Sequence, residues 1–238
     1  MFKKIIAGGI GLAALVLVIT GCGSNNTGSS ESDSSTKSES TSQTMSEDSK
    51  VMNSVGEIIG SYNSEDKTVV GATKPGEEVE FKIPAKDSSN EEYLHFAFMH
   101  AASGEKGWYF APKSDEGIAL SKTMLENDKT VDITDEIGLF AAPNETTSTA
   151  VTADDGMLKF GETNKFMTAT VALKDDMYVV TIKNISEGDM ETPFSSGVWE
   201  LTNKMDKGFD HTASKELSTL ATSGHRDDLY KKVQDDAK

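Results

Sequence analysis

With a single cysteine, Cys22, this 238-residue chain cannot close an intrachain disulfide, so its folded part must be held by its core or by a metal. Basic residues are in deficit: 23 Lys and Arg stand against 39 Asp and Glu, for a formal net charge of −16. That balance argues against nucleic acid as a partner, and against charge as the force holding the chain to anionic lipid or wall polymers. Histidine is scarce, four in all, and no His-Glu-x-x-His, Gly-x-Ser-x-Gly or phosphate-cradling glycine loop occurs. Ser64 with Lys67 and Ser103 with Lys106 fit Ser-x-x-Lys, a spacing expected by chance in a chain rich in both residues. His95 and His100 lie five apart on one predicted strand, so their side chains point to opposite faces and cannot share a metal; His211 and His225 are isolated in sequence. Long apolar runs are missing except over residues 5–20, and that run, with several Gly and Ala, falls short of the ~20 predominantly apolar residues that span a bilayer.

What this run does suit is export. Lys3 and Lys4 followed by the uncharged stretch make the positive and apolar regions of a secretory signal. Ile19-Thr20-Gly21-Cys22 resembles the bacterial lipobox, an aliphatic residue and two small ones before the cysteine that receives a diacylglyceryl group. Residues 1–21 are thus expected to be a signal peptide removed before Cys22, the lipid attachment site. Two acyl chains anchor a protein stably where one does not. Losing Lys3 and Lys4 removes two positive charges and takes the formal charge from −16 to −18. Residues 23–50 hold eleven Ser and four Thr in 28 positions and have nothing from which to build a core, so 22–50 reads as a disordered tether. Its root-mean-square reach is ~30 Å by random-coil scaling. Such Ser-rich tethers resemble those of Gram-positive lipoproteins, which places the expected location outside the cytoplasm on a membrane surface.

Residues 51–238 form the expected folded domain, with no linker-like break inside it. Val79, Phe81 and Ile83 alternate with charged residues up to Pro84, as in a half-buried strand. In 93–101, Leu94, Phe96 and Phe98 share one face while His95, Ala97 and Met99 share the other, which predicts a central strand covered on both sides. Further strands are predicted over 108–111, 117–120, 137–141, 165–173, 177–185 and 197–201. Leu217, Leu220 and Ala221 then fall on one helical face before Gly224, and Leu229 and Val233 recur four apart after it. The fold class is therefore all-β: an antiparallel β-sandwich with two short carboxy-terminal helices expected to cap it. The densest aromatic run, Trp108-Tyr109-Phe110, is either core or, at a loop edge, a recognition surface.

Two segments carry a resemblance. In 95–120 these are the Met99 strand, Trp108-Tyr-Phe-Ala-Pro112 and Gly117-Ile-Ala-Leu120; in 181–199 they are Asn184-Ile-Ser186 and Thr192-Pro-Phe-Ser-Ser-Gly-Val-Trp199. Both are similar to the spondin amino-terminal domain, and with weaker similarity elsewhere the likeness covers most of 55–233. In that family the Thr-Pro segment precedes the Trp-containing loop, whereas here it follows, so the resemblance implies a circular permutation. It also implies a β-sandwich with a bound calcium ion held by loop acids. The corresponding loops here read Glu105-Lys-Gly-Trp108 and Phe140-Ala-Ala-Pro-Asn-Glu145, which leaves Glu105 and Glu145 as candidate metal ligands. Asp115, Glu116, Asp132 and Asp135 lie in nearby segments. Calcium takes six to eight oxygens.

The expected function is a non-enzymatic, cell-surface binding or adhesion module, anchored to the membrane by lipid, whose ligand is an extracellular protein or glycan. The alternatives are an envelope enzyme acting on wall or glycan, with paired carboxylates among the many acids, and a structural lipoprotein of envelope assembly.

Overall fold

The structure, a computed structural model, describes residues 53–60, 71–86, 90–127 and 129–238. The expected signal peptide, Cys22 and the tether through residue 50 lie outside these. The described residues belong to one compact unit, Asp48–Lys238.

Eleven strands follow in chain order: β1 (Ser54–Ile58), β2 (Glu78–Pro84), β3 (Glu92–His100), β4 (Trp108–Pro112), β5 (Ile118–Leu120), β6 (Thr130–Asp132), β7 (Ile137–Ala141), β8 (Thr149–Ala150), β9 (Met167–Lys174), β10 (Met177–Asn184) and β11 (Phe194–Thr202). Two helices, α1 (Lys215–Ser223) and α2 (Asp227–Asp236), end the chain. One sheet of seven strands has the order β1-β11-β3-β4-β7-β8, with β5 also paired to β3; the second has the order β2-β10-β9-β6. Every pairing is antiparallel.

Alternation in β2 places Val79, Phe81 and Ile83 inward, and Pro84 is tolerated because β2 is an edge strand. All nine residues of β3 are buried. It has β11 along one side and β4 and β5 end to end along the other, as befits the most apolar strand. Leu94, Phe96 and Phe98 join the core between the sheets, with Phe81, Val180, Tyr178 and Trp199 from the facing strands and β11. Ala97 looks the other way, into a second core.

That second core corrects the expected place of the helices. Leu217, Leu220 and Ala221 of α1 and Leu229 and Val233 of α2 pack on Ala97, Tyr109, Ala111 and Val198, so they cover the outer face of the larger sheet instead of capping the sandwich. The result is three layers: helices, seven-stranded sheet, four-stranded sheet. The helix limits follow local chemistry. Ser214 Oγ accepts from Leu217 N at 3.1 Å as an N-cap, and Gly224 stops α1 in the left-handed region at φ 74°.

β4 lies between β3 and β7 and has a layer over each face. Trp108, Tyr109 and Phe110 are therefore 2, 0 and 0 % exposed, and this run is core, not a recognition surface. Trp108 meets His100 edge-on at 5.6 Å between ring centroids, while Tyr109 points to the helix side.

The β9–β10 hairpin closes through Asp175 and Asp176, both left-handed at φ 49° and 58°. Two consecutive positive φ values match a type I′ turn, for which Asn-Gly is the preferred pair. The double change Asp175→Asn, Asp176→Gly is expected to raise stability by about 0.5–1 kcal/mol, read as a higher urea midpoint at unchanged slope. The Lys122–Asp176 ion pair it removes is exposed on the aspartate side, and such pairs contribute little. A lowered midpoint would show that the aspartates support the turn by contacts of their own.

Candidate functional site

Past β11 the chain runs through residues 203–214 before α1, and this segment lays a carboxylate against the outer face of the large sheet. Asp210 is 0 % exposed; its Oδ1 lies 3.0 Å from His95 Nδ1, and its Oδ2 accepts from the backbone N–H of Phe96 at 3.2 Å. The Asp210 carbonyl accepts from the Tyr109 hydroxyl at 2.6 Å, which stands 2.9 Å from Ser148 Oγ. One residue on, His211 Nε2 lies 2.9 Å from the Pro112 carbonyl, and its ring meets Phe140 edge-on at 4.7 Å. The segment is thus tied to β3 and β4 by buried hydrogen bonds and to β7 by a ring contact.

Two glycines make room for the His95 ring. A Cβ on Gly208 would strike His95 Nδ1 and Asp210 Oδ1. A Cβ on Gly117, left-handed at φ 87°, would come 2.9 Å from the Leu94 carbonyl and 3.0 Å from His95 Nε2. Burial acts to lower the His95 pKa, but the hydrogen bond and charge of Asp210, with Glu200 and Asp115 adding to them, outweigh it and hold the value above that of a free histidine.

In the sheet register His95 pairs with Glu200 of β11, so both point outward side by side. Burial lifts the Glu200 pKa, opposed by the hydrogen bond from Asn53 and by His95, and helped by Asp210 and Asp236. Asn53 Nδ2 donates to Glu200 Oε1 at 2.8 Å; Asn53 Oδ1 is buried without a partner. These groups line a cavity of about 260 Å³ that opens between the 203–214 segment and α2. Lys204, Asp206 and Lys207 stand at its rim, Phe209 and Val233 form an apolar wall, and Lys232 is held by Asp236 at 2.6 Å.

His95 is 1 % exposed and its Nε2 is buried with no hydrogen-bond partner. No hydroxyl therefore reaches that nitrogen among the described residues, and a Ser-His-Asp arrangement is not assembled. The pair instead pins the 203–214 segment in place, and the cavity presents the Glu200 carboxylate.

The candidates read from the sequence fall elsewhere. Glu105 and Glu145 are both exposed, on loops brought together at one end of the large sheet, where Ala142 N donates to the Gly107 carbonyl at 2.9 Å. Lys106 reaches Asp155 at 2.9 Å, and Glu145 shares a shallow surface hollow with Lys215, so cations already stand at both loops. Among the described residues no three His, Cys, Asp or Glu side chains gather in a group that could hold a metal. These loops do not fit calcium. His95 and His100 do face opposite sides of β3: His100 points into the sandwich core beside Trp108 and Phe166, and His95 toward the helices.

Glu200, Asp210 and Asn53 escaped the sequence reading. The one available signal was an acid, Glu200, between Trp199 and Leu201 in a predicted strand; its pairing with His95 depends on register. Comparison with protein-family models, curated proteins and solved structures found no match to this chain.

Proposed function

We propose that this chain is a lipid-anchored binding module displayed outside the cytoplasm, not an enzyme. The observation that carries the reading is the closure of His95. A general base must reach a substrate proton, and here the free ring nitrogen is walled in by Gly117 while Nδ1 is committed to Asp210. What remains open is a pre-formed cavity with polar groups on its floor, an apolar wall and charges at its rim, the composition of a ligand site. The lipobox-like residues ending at Cys22 and the Ser-rich stretch after it support the anchor and tether. The spondin-like motifs support a recognition role, and through it a permuted member of that family, by analogy of fold and sequence. The ligand is an extracellular protein, a glycan or a smaller solute of the envelope.

An envelope enzyme is the second reading. It is favoured by one fact: two residues with raised pKa values, Glu200 and His95, line the same cavity.

The full chain, recovered with its native membrane and checked by mass spectrometry for lipid on Cys22, separates the two when incubated with envelope protein and wall-glycan fractions. Retention of a component without chemical change is the expected result. Release of new products by the parent chain, abolished in Glu200→Gln, would replace the binding module with the enzyme.

A further inference from the structure

Acceptors and donors are unevenly distributed in the cavity beside His95. On its floor stands the Glu200 carboxylate, of which only Oε1 has a protein donor, the Asn53 side-chain amide. A ligand that supplies N–H groups here gives this half-buried carboxylate charge-assisted hydrogen bonds that the protein does not. At the rim, Lys204 and Lys207 are exposed and have no ion-pair partner among the described residues, whereas Lys232 is neutralised by Asp236. Between floor and rim, Phe209 and Val233 offer carbon surface.

We infer that this cavity binds a small zwitterion bearing a primary ammonium and a carboxylate, of the amino-acid class: the ammonium donates to the Glu200 carboxylate, and the carboxylate faces Lys204 and Lys207. The inference rests on the binding-module reading and names its ligand chemistry. Three features favour it over an uncharged polyol. An ammonium carries three donors and a full charge to a carboxylate that burial leaves poorly solvated. At the rim two lysines without ion-pair partners among the described residues, Lys204 and Lys207, outnumber the one acid between them, Asp206, where a second, anionic group of the ligand would lie. The volume, about 260 Å³, falls just below the roughly 300–1,000 Å³ of drug-sized ligand sites and so suits a ligand of a few heavy atoms. Glu200 is a ligand-binding residue in this scheme, and the Asp210–His95 pair positions the 203–214 segment that carries Lys204, Lys207 and Phe209.

The test is calorimetry on the full chain in detergent with four probes: alanine, glycine, glycine betaine and glucose. Alanine and glycine are expected to bind saturably with one site. Glycine betaine has the same charges but no ammonium N–H, and is expected to bind at least about tenfold more weakly because its charge-assisted hydrogen bonds are missing. Glucose is expected to give no saturable heat. Glu200→Gln should weaken alanine by about tenfold or more, and Lys204→Ala with Lys207→Ala should weaken it independently, both with the parent's melting temperature. Glucose binding in preference to alanine, equal affinity for betaine and glycine, an unaffected Glu200→Gln, or no heat from alanine and glycine would each overturn the inference. Those outcomes leave a macromolecular ligand open, whereas product release in the envelope assay strikes the binding-module reading itself.

Discussion

Asp210→Ala is expected to destabilise the folded domain by about 3–5 kcal/mol, among the largest effects of any single substitution in this chain, because it strips the partner from a buried histidine. The loss has several parts. Nδ1 of His95, a residue 1 % exposed, is left without its acceptor, and the Phe96 N–H loses the Asp210 carboxylate. The volume vacated beneath Gly208 cannot be refilled by its neighbours without moving the segment. Asp210→Asn keeps shape and one acceptor and should cost less, about 1–3 kcal/mol. Urea unfolding monitored by tryptophan fluorescence measures both; an Asp210→Ala midpoint within error of the parent would show that the pair holds nothing in place.

The pair also sets a pH signature. The folded-state pKa of His95 lies above its ordinary value, so its contribution is fully present below pH 6.5 and is lost as pH rises through the folded value. Asp210→Asn should abolish that alkaline-side decline.

His100 is expected to produce the opposite slope. Burial between Trp108, Phe110 and Phe166 lowers its pKa from 6.5 to about 4, and the residue is 3 % exposed. The sign follows from proton counting. Between pH 6.5 and about 4 the unfolded chain binds a proton that the folded chain refuses, so stability falls as pH falls across that window. The span is worth about 3 kcal/mol at 1.36 kcal/mol per unit. His100→Phe puts an uncharged ring of similar shape into an aromatic cluster and gives up only a 3.3 Å contact to Thr192 Oγ1. It is expected to flatten the acid limb of the stability curve by that amount while changing stability little at pH 7. Denaturant titrations at half-unit steps from pH 7 to pH 4 decide it, and an unchanged acid limb in His100→Phe would assign the slope to other groups.

These two histidines show where the sequence is legible. The five-residue spacing within an alternating strand places His95 and His100 on opposite faces, because side chains in a strand alternate whatever surrounds them. The same alternation accounts for the inward face of β2 and the both-faces-covered β3, while the missing N–H of Pro84 and the 3.6-residue helical period account as locally for the end of β2 and the hydrophobic stripes of α1 and α2. It has nothing to say about β6 and β8. Thr-Val-Asp and Thr-Ala carry no readable alternation and are strands only because β9 and β7 offer them an edge. β1, Ser-Val-Gly-Glu-Ile, is likewise a strand through its pairing with β11.

The candidate site belongs to this second kind. Asp210 meets His95 across 115 positions, and Glu200 meets it only through the register of β11 on β3. Trp108-Tyr109-Phe110 could be read as core or surface until β3, β7 and the helices enclosed it. Periodicity, caps and turn residues act over a few residues, so the all-β class, the helix limits, the acidic balance and the export-like amino terminus are written in the sequence itself. Which acids approach which histidine, which face the helices cover and which cavity stays open depend on pairing between distant strands. No local pattern encodes that, because the free energy deciding it is released only when those strands bury each other's surfaces.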